Sequence, residues 1–248
     1  MADLIGLVRP LGFSDNAIRL GLSRMSRHGA FKIRKVGRCS YYSLSSRGME
    51  WMERGRMRAF DIKYKTWDRR WRLVVYNVPE TMRVLRDKIR AELYNLGFAN
   101  LSASVWISPH DMHPAIIRFI KENAMTKYVE IFEADYTGLR SAREFAAITW
   151  NIGDLEKRYR NFARKYESLR LKFKRKASEG HPMQPAECFA DRFCMTAEYV
   201  ALKLDDPMLP LVLLPKEWVG VKAEKVHDAV WHMFRPAAEE FISAVLKK

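Results

Sequence analysis

Between Ser14 and His28 the chain reads SDNAIRLGLSRMSRH, and its hydrogen-bonding side chains recur on one side of a helix-spaced pattern. Ile18, Leu22 and Met25 mark one face at i, i+4 and i+7. Asn16, Arg19, Ser23, Arg24 and Arg27 occupy or flank the opposite face. Guanidinium forks pair in bidentate fashion with phosphates or with the guanine edge, and a carboxamide does the same with adenine. Ser14 is placed to cap the helix and Asp15 favours its first turn. Immediately downstream, FKIRKV and CSYYSL flank a short glycine turn and add Lys35, Arg38, Ser40 and Tyr42. No acid follows Asp15 before Glu50. Either feature alone would describe a solvated surface. Together they describe a surface for a polyanion.

Other residues could carry different chemistry. Asn77 ends an apolar run, with Glu80 and Asp87 close behind it, and carboxylates are the side chains that hold a hard divalent cation. A neutral amide at 77 is a poor magnesium ligand, and Asp87 is spaced to pair with Arg83 on a helix. His110 and His113 form H-x-x-H around Asp111, a spacing that puts two imidazoles on one helical face. Pro114 favours instead a helix start there, with Asp111 as its cap. His227 and His232 are five apart and do not share a face. No nucleophile elbow, P-loop or GxGxxG occurs. The expectation is a non-enzyme with no cofactor and no metal site. The alternative is a metal-dependent nuclease or RNA-processing protein built on this middle region.

The elements that must position these groups follow from charge and periodicity. The 248 residues carry a net charge of +15, and residues 1–72 hold 17 Lys/Arg against 6 Asp/Glu. Charge concentrated in so short a segment points to nucleic acid, with an anionic membrane surface behind it. The most apolar run, PMLPLVLLP, is too short and too broken to span a bilayer. The N-terminus lacks a basic head and apolar body, so it does not read as a secretory signal. Three cysteines without CxxC spacing suit a reduced, cytoplasmic setting.

Residues 2–8 read as a short helix. Helix, turn, basic helix and hairpin make a winged helix-turn-helix over 1–64, with Arg38 at the wing tip and one of the two tyrosines turned to the core. A strand from Leu73 to Val78, a helical stripe of Met82, Leu85, Ile89, Leu93 and Leu96, FANLSASVWIS, HPAIIRFIKEN and YVEIFEAD give βαββαβ over 65–140, a ferredoxin-like order. From 141 to 248 the chain is helical. It contains a basic helix over 154–176, then helices Ala186–Lys203 and Lys222–Leu246 around DDPMLPLVLLPKEWVG. The fold class is α+β.

In that order, GFSDNAIRLGLSRMSRHGAF, VGRCSYYSLSSRG, WDRRWRLVVYNVPE, LGFANLSASVWISP and DDPMLPLVLLPKEWVG resemble the PaaX family over nearly the whole chain. The proline-punctuated last motif is the most specific. The resemblance implies a dimeric regulator that binds a double-stranded DNA operator and is released by an aryl-CoA thioester of the phenylacetyl-CoA kind. That effector would use an acyl pocket near Tyr199, Leu214 and Trp218, with Arg158, Arg160 or Arg192 on its phosphates. Three features depart from the family pattern. A helix normally preceding the first one here is apparently missing, Arg69 stands where WDG is usual, and Val200 follows Tyr199 where arginine is expected. The middle region also resembles the small endonuclease of CRISPR spacer acquisition, with Asn77 at its metal-binding aspartate position.

Overall fold

The computed structural model describes residues 2–37, 39–181 and 183–246. These group into two compact units. One joins Met1–Asp61 with Tyr159–Leu204 and Val219–Lys248. The other joins Ile62–Arg158 with Asp205–Trp218. Both units therefore draw on distant parts of the chain, and neither coincides with one of the three consecutive sections expected from the sequence.

The first unit opens with α1 (Ala2–Val8) and a 3-10 turn over Arg9–Leu11, followed by α2 (Asp15–Arg27). Then come β1 (Phe31–Val36), β2 (Cys39–Leu44) and α3 (Ser46–Arg56), which runs into a π-helical turn at Met57–Asp61. Ile5, Ile18 and Leu22 are the buried centre of this segment, with Leu4, Val8, Phe31 and Tyr42 packed against them. Met25, expected on the same face of α2, is exposed. The buried stripe of α2 ends one turn earlier, where the covering from α1 and the hairpin ends.

The same unit contains α7 (Ile152–Ser178) from Tyr159 onward, α8 (Pro185–Asp205) up to Leu204, and α9 (Val219–Leu246). Phe162, Phe173, Met195, Tyr199, Val230 and Phe234 fill its helical interior. Phe60, in the π-helical turn, meets Tyr199 and His227 at ring distances of 6.0 and 5.6 Å. Gly6 of α1 passes so close to Val245 of α9 that a Cβ at residue 6 would lie 3.1 Å from the valine methyl. The winged helix is thus packed onto the helical bundle at both of its ends.

The second unit is the ferredoxin-like part. Its strands are β3 (Trp71–Tyr76), β4 (Ala99–Ser102), β5 (Val105–Ser108) and β6 (Val129–Ala134). They form an antiparallel sheet in the order β4-β5-β3-β6, with Leu73 opposite both Ile107 and Phe132. FANLSASVWIS makes two strands, and the register shifts between Asn100 and Ser102. Helices α4 (Arg83–Asn95) and α5 (His113–Glu122) supply Ile89, Leu93, Ile116 and Ile120 to a core shared with Val74, Tyr76 and Trp106.

After the sheet, α6 (Ala142–Thr149) starts at a reciprocal capping box between Ser141 and Glu144. The segment Asp205–Trp218 then returns as a strap on this unit. His110 Nε2 donates to the carbonyl of Pro207 at 3.0 Å, and Trp218 Nε1 donates to the Tyr64 hydroxyl at 2.7 Å. Asp206 Oδ1 accepts the Met208 amide at 2.7 Å. The proline-rich motif is therefore held by specific polar contacts, which explains why its residue types are so particular.

Arg69 adopts φ +67°, a left-handed conformation that disfavours a Cβ. It sits in a turn tied by Asp68 Oδ1 accepting the Arg70 amide and Trp67 Nε1 donating to the Arg70 carbonyl, both at 3.0 Å. The glycine usual at this position fits the turn without strain. Arg69→Gly is expected to raise stability by roughly 0.5–1 kcal/mol, the left-handed penalty less glycine's greater freedom when unfolded. Chemical denaturation of the two proteins, compared at equal m-value, checks the sign.

Candidate nucleic-acid interface

The helix α2 begins where Ser14 Oγ accepts the Ala17 amide at 3.3 Å. Arg9 grips both oxygens of Asp15 at 3.1 Å and so neutralises the one acid of the helix. Beyond that turn Asn16, Arg19, Ser23, Arg24 and Arg27 are all exposed. Leu20 stands among them with 60% of its surface in solvent. Among the described residues, no carboxylate approaches Arg19, Arg24 or Arg27 within ion-pair distance. Three guanidinium groups on one rigid, capped helix thus keep their hydrogen-bonding capacity for something outside the protein.

The hairpin continues this surface. Its register pairs Ile33 with Tyr42, Arg34 with Tyr41, Lys35 with Ser40 and Val36 with Cys39, and a tight turn opens at Gly37. Gly37 has φ +58°, the left-handed value such turns require. Arg38 lies outside the described residues. Lys35 is exposed and Ser40 half-buried.

Tyr42 needs correction. Its ring meets Phe31 edge-on at 6.3 Å and packs against the small core, because residues paired across the hairpin share a face with Phe31 at every second position. Tyr41 is the solvent-facing tyrosine, 54% exposed, with the Arg34 guanidinium 5.8 Å from its ring centroid. Lys32 lies on that face as well. Lys32, Arg34 and Tyr41 are therefore exposed together on one face of the hairpin, beside the residues expected from the sequence. Alternation along the strands groups them, and the packing of half-buried Phe31 decides which group faces solvent.

The residues expected around an effector fall in both units. Tyr199 is 2% exposed and stacks on His227 at 4.4 Å, with Phe162 at 5.6 Å. Leu214 and Trp218 are 1% and 4% exposed and belong to the strap of the second unit. All three side chains are buried. Arg158 spends its charge on Asp205 at 2.6 Å. Arg192 lies 4.2 Å from the centroid of Trp231, and burial pushes its pKa down. Arg160 is exposed on α7.

The carboxylates of the middle region are engaged differently from those of a metal site. Glu80 holds Arg86 at 2.5 and 3.0 Å, and that guanidinium keeps its carboxyl below the usual range. Asp87 approaches Arg83 at 3.9 Å. Asn77 is exposed, its backbone N–H donating to the Tyr128 carbonyl. His110 is buried against Pro207, and burial lowers its pKa. His113 is exposed at the start of α5, its amide bonded to Asp111 Oδ1. The two imidazoles of H-x-x-H thus occupy different environments.

Comparison with known proteins gives the family. Residues 1–48 match a family model described as PaaX-like protein. Residues 64–146 match the PaaX protein central Cas2-like domain, and residues 150–244 match the PaaX-like protein C-terminal domain. The transcriptional repressor PaaX of Escherichia coli is 26% identical over 246 residues, a match covering 98% of this chain and 76% of that protein. An uncharacterized protein of Mycobacterium tuberculosis has the same fold, with a TM-score of 0.63 at 21% identity over 98% of this chain and 90% of that one. With its three parts matched in sequence order, the chain belongs to the PaaX family of transcriptional repressors.

Proposed function

We propose that the protein represses an aromatic-acid catabolic operon of the phenylacetate type. In this reading it binds double-stranded operator DNA as a homodimer in the cytoplasm and is released by an aryl-CoA effector. The observation that carries it is the acid-free outer face of α2, whose arginines have no internal carboxylate and continue into a basic hairpin. In such an arrangement α2 enters the major groove, where Asn16 and Arg19 meet base edges. Arg24, Arg27, Lys35 and Arg38 take phosphates. The functional division is the one expected from the sequence: a reading head over 1–64, a ferredoxin-like middle part over 65–140 and a helical effector and dimerisation part over 141–248.

Two features support a regulator over a nuclease. Asn77 replaces a carboxylate ligand, and Glu80 is occupied by Arg86. No helix of the described residues is long and apolar enough to cross a membrane.

If two subunits neutralise about 6–10 phosphates, affinity falls roughly 10³–10⁵-fold between about 50 and 200 mM salt. Asn16→Ala or Arg19→Ala relaxes base preference by about 1–3 kcal/mol, whereas Arg27→Ala weakens all sequences alike. Fluorescence anisotropy on specific and random duplexes measures both effects, and a salt-insensitive complex would defeat the reading.

One recognition helix reads only a few base pairs, so a two-fold dimer on a pseudo-palindrome is the economical route to specificity. Light scattering of the full chain is expected to give twice the 29.1 kDa protomer mass. A monomer at micromolar concentration counts against the dimer.

An effector shifts the equilibrium only by binding free and DNA-bound protein unequally. Titrating the protein–DNA complex with phenylacetyl-CoA, phenylacetate and CoA separately should release DNA with the thioester alone. Retention in all three arms would leave a repressor that answers another signal.

A further inference from the structure

The ion pairs of α7 are distributed unevenly around its circumference. Arg170 is held by Glu167 at 2.6 Å, and Lys165 by Glu198 at 2.7 Å. Arg160, Arg164, Lys172 and Arg175 are exposed, and at 3.6 residues per turn they fall on one face about 120° wide. Asn161, Ser168 and Leu171 complete that face, so it contains no acid. Among the described residues, Arg164 and Lys172 have no carboxylate within ion-pair distance, and Arg175 reaches Glu179 only at 4.0 Å.

A helix face that is merely solvated gains from alternating signs at i, i+4, whereas like charges at that spacing destabilise it. Arg160 with Arg164 is such a like-charge pair. The face extends about 22 Å along the helix, at 1.5 Å per residue. A membrane surface would require an apolar stripe beside the cations, and Leu171 is the single large apolar residue on this face. A small phosphorylated ligand would require cations converging on a concavity, and the recess that Ser168 and Lys172 line also holds the Asp191 carboxylate and none of the arginines of the row. A straight row of cations fits a regularly charged rod.

We infer that this face of α7 is a second DNA contact, taking backbone phosphates of the duplex in addition to those taken by α2 and the hairpin. From Tyr159 onward the helix belongs to the same compact unit as that reading head. The inference rests on the DNA-binding reading above. Its contacts are to phosphate, so it adds affinity and salt sensitivity and no base preference.

The test uses full-length protein and a fluorescein-labelled random-sequence duplex of about 40 base pairs, long enough for contacts beyond one recognition site. The triple variant Arg164→Gln, Lys172→Gln, Arg175→Gln should lower the slope of log K against log salt by about 2–3 per protomer, at about 0.9 for each phosphate lost. Its melting temperature should stay level or rise, since repulsion is relieved. Ser168→Glu, which removes no cation, should also weaken binding by placing an acid in the row. Both variants matching wild type in slope and affinity would overturn the inference while leaving the reading head intact. Wild-type protein that fails to bind the duplex at low salt would defeat the DNA-binding reading and the inference together. Loss of thioester response in the triple variant with an unchanged salt slope would reassign the face to the effector and overturn it as well.

Discussion

The carbonyl of Ala30 accepts the Ser45 amide at 2.9 Å and lies where a Cβ on residue 48 would be only 2.1 Å away. The first turn of α3 can press on the base of the hairpin because residue 48 is glycine. Ser45 completes the joint, its hydroxyl donating to the Gly29 carbonyl and accepting the Gly48 amide. The end of α2, both ends of the hairpin and the start of α3 therefore meet within one small knot. A core of three fully buried side chains could not hold those elements in place by apolar burial alone, since each contributes only about 1.5–3 kcal/mol. Backbone geometry carries what the core lacks, and the orientation of α2 relative to the wing depends on it.

That division between backbone and core also explains how the surface is used. Arginines on α2 can remain unpaired because Ile18 and Leu22 anchor the helix from the other side. In the second unit several arginines are spent internally. Arg72 is buried with Asp68 at 2.5 Å and Glu133 at 3.4 Å, and Arg70 reaches Asp135 at 3.0 Å. The excess charge of the chain is thus left standing where an external anion can reach it. A pair such as Arg70 with Asp135 on the surface contributes little stability, so leaving arginines unpaired on α2 costs little.

Contacts distant in sequence do the remaining work in each unit. In the first, Phe60 and Gly6 tie the winged helix to the C-terminal helices. In the second, the carbonyl of Pro207 receives His110 and passes 3.3 Å from where a Cβ on Gly97 would lie. Trp150 closes the same corner by donating to the Gly97 carbonyl at 3.1 Å. A left-handed glycine that ends α4 therefore also makes room for the strap. The specificity of the proline motif reflects this fit.

Local pattern was enough to determine much of this protein. The capped α2, the hairpin with its glycine turn, the βαββαβ order and the long basic α7 are all governed by spacing and caps within a few residues of each other, so they are legible in the chain. The Ser141–Glu144 capping box was equally local, and it marks the start of α6. What lay beyond reach depends on partners far away in sequence. Which tyrosine faces solvent depends on Phe31 being drawn to Ile18 and Leu22. The packing of Tyr199 depends on His227 and Phe162, and that of Trp218 on Tyr64. The left-handed turn at Arg69 is set by a neighbouring carboxylate and indole. Burial is a property of the assembled chain: periodicity can say which residues share a face, and only tertiary packing decides which face is covered.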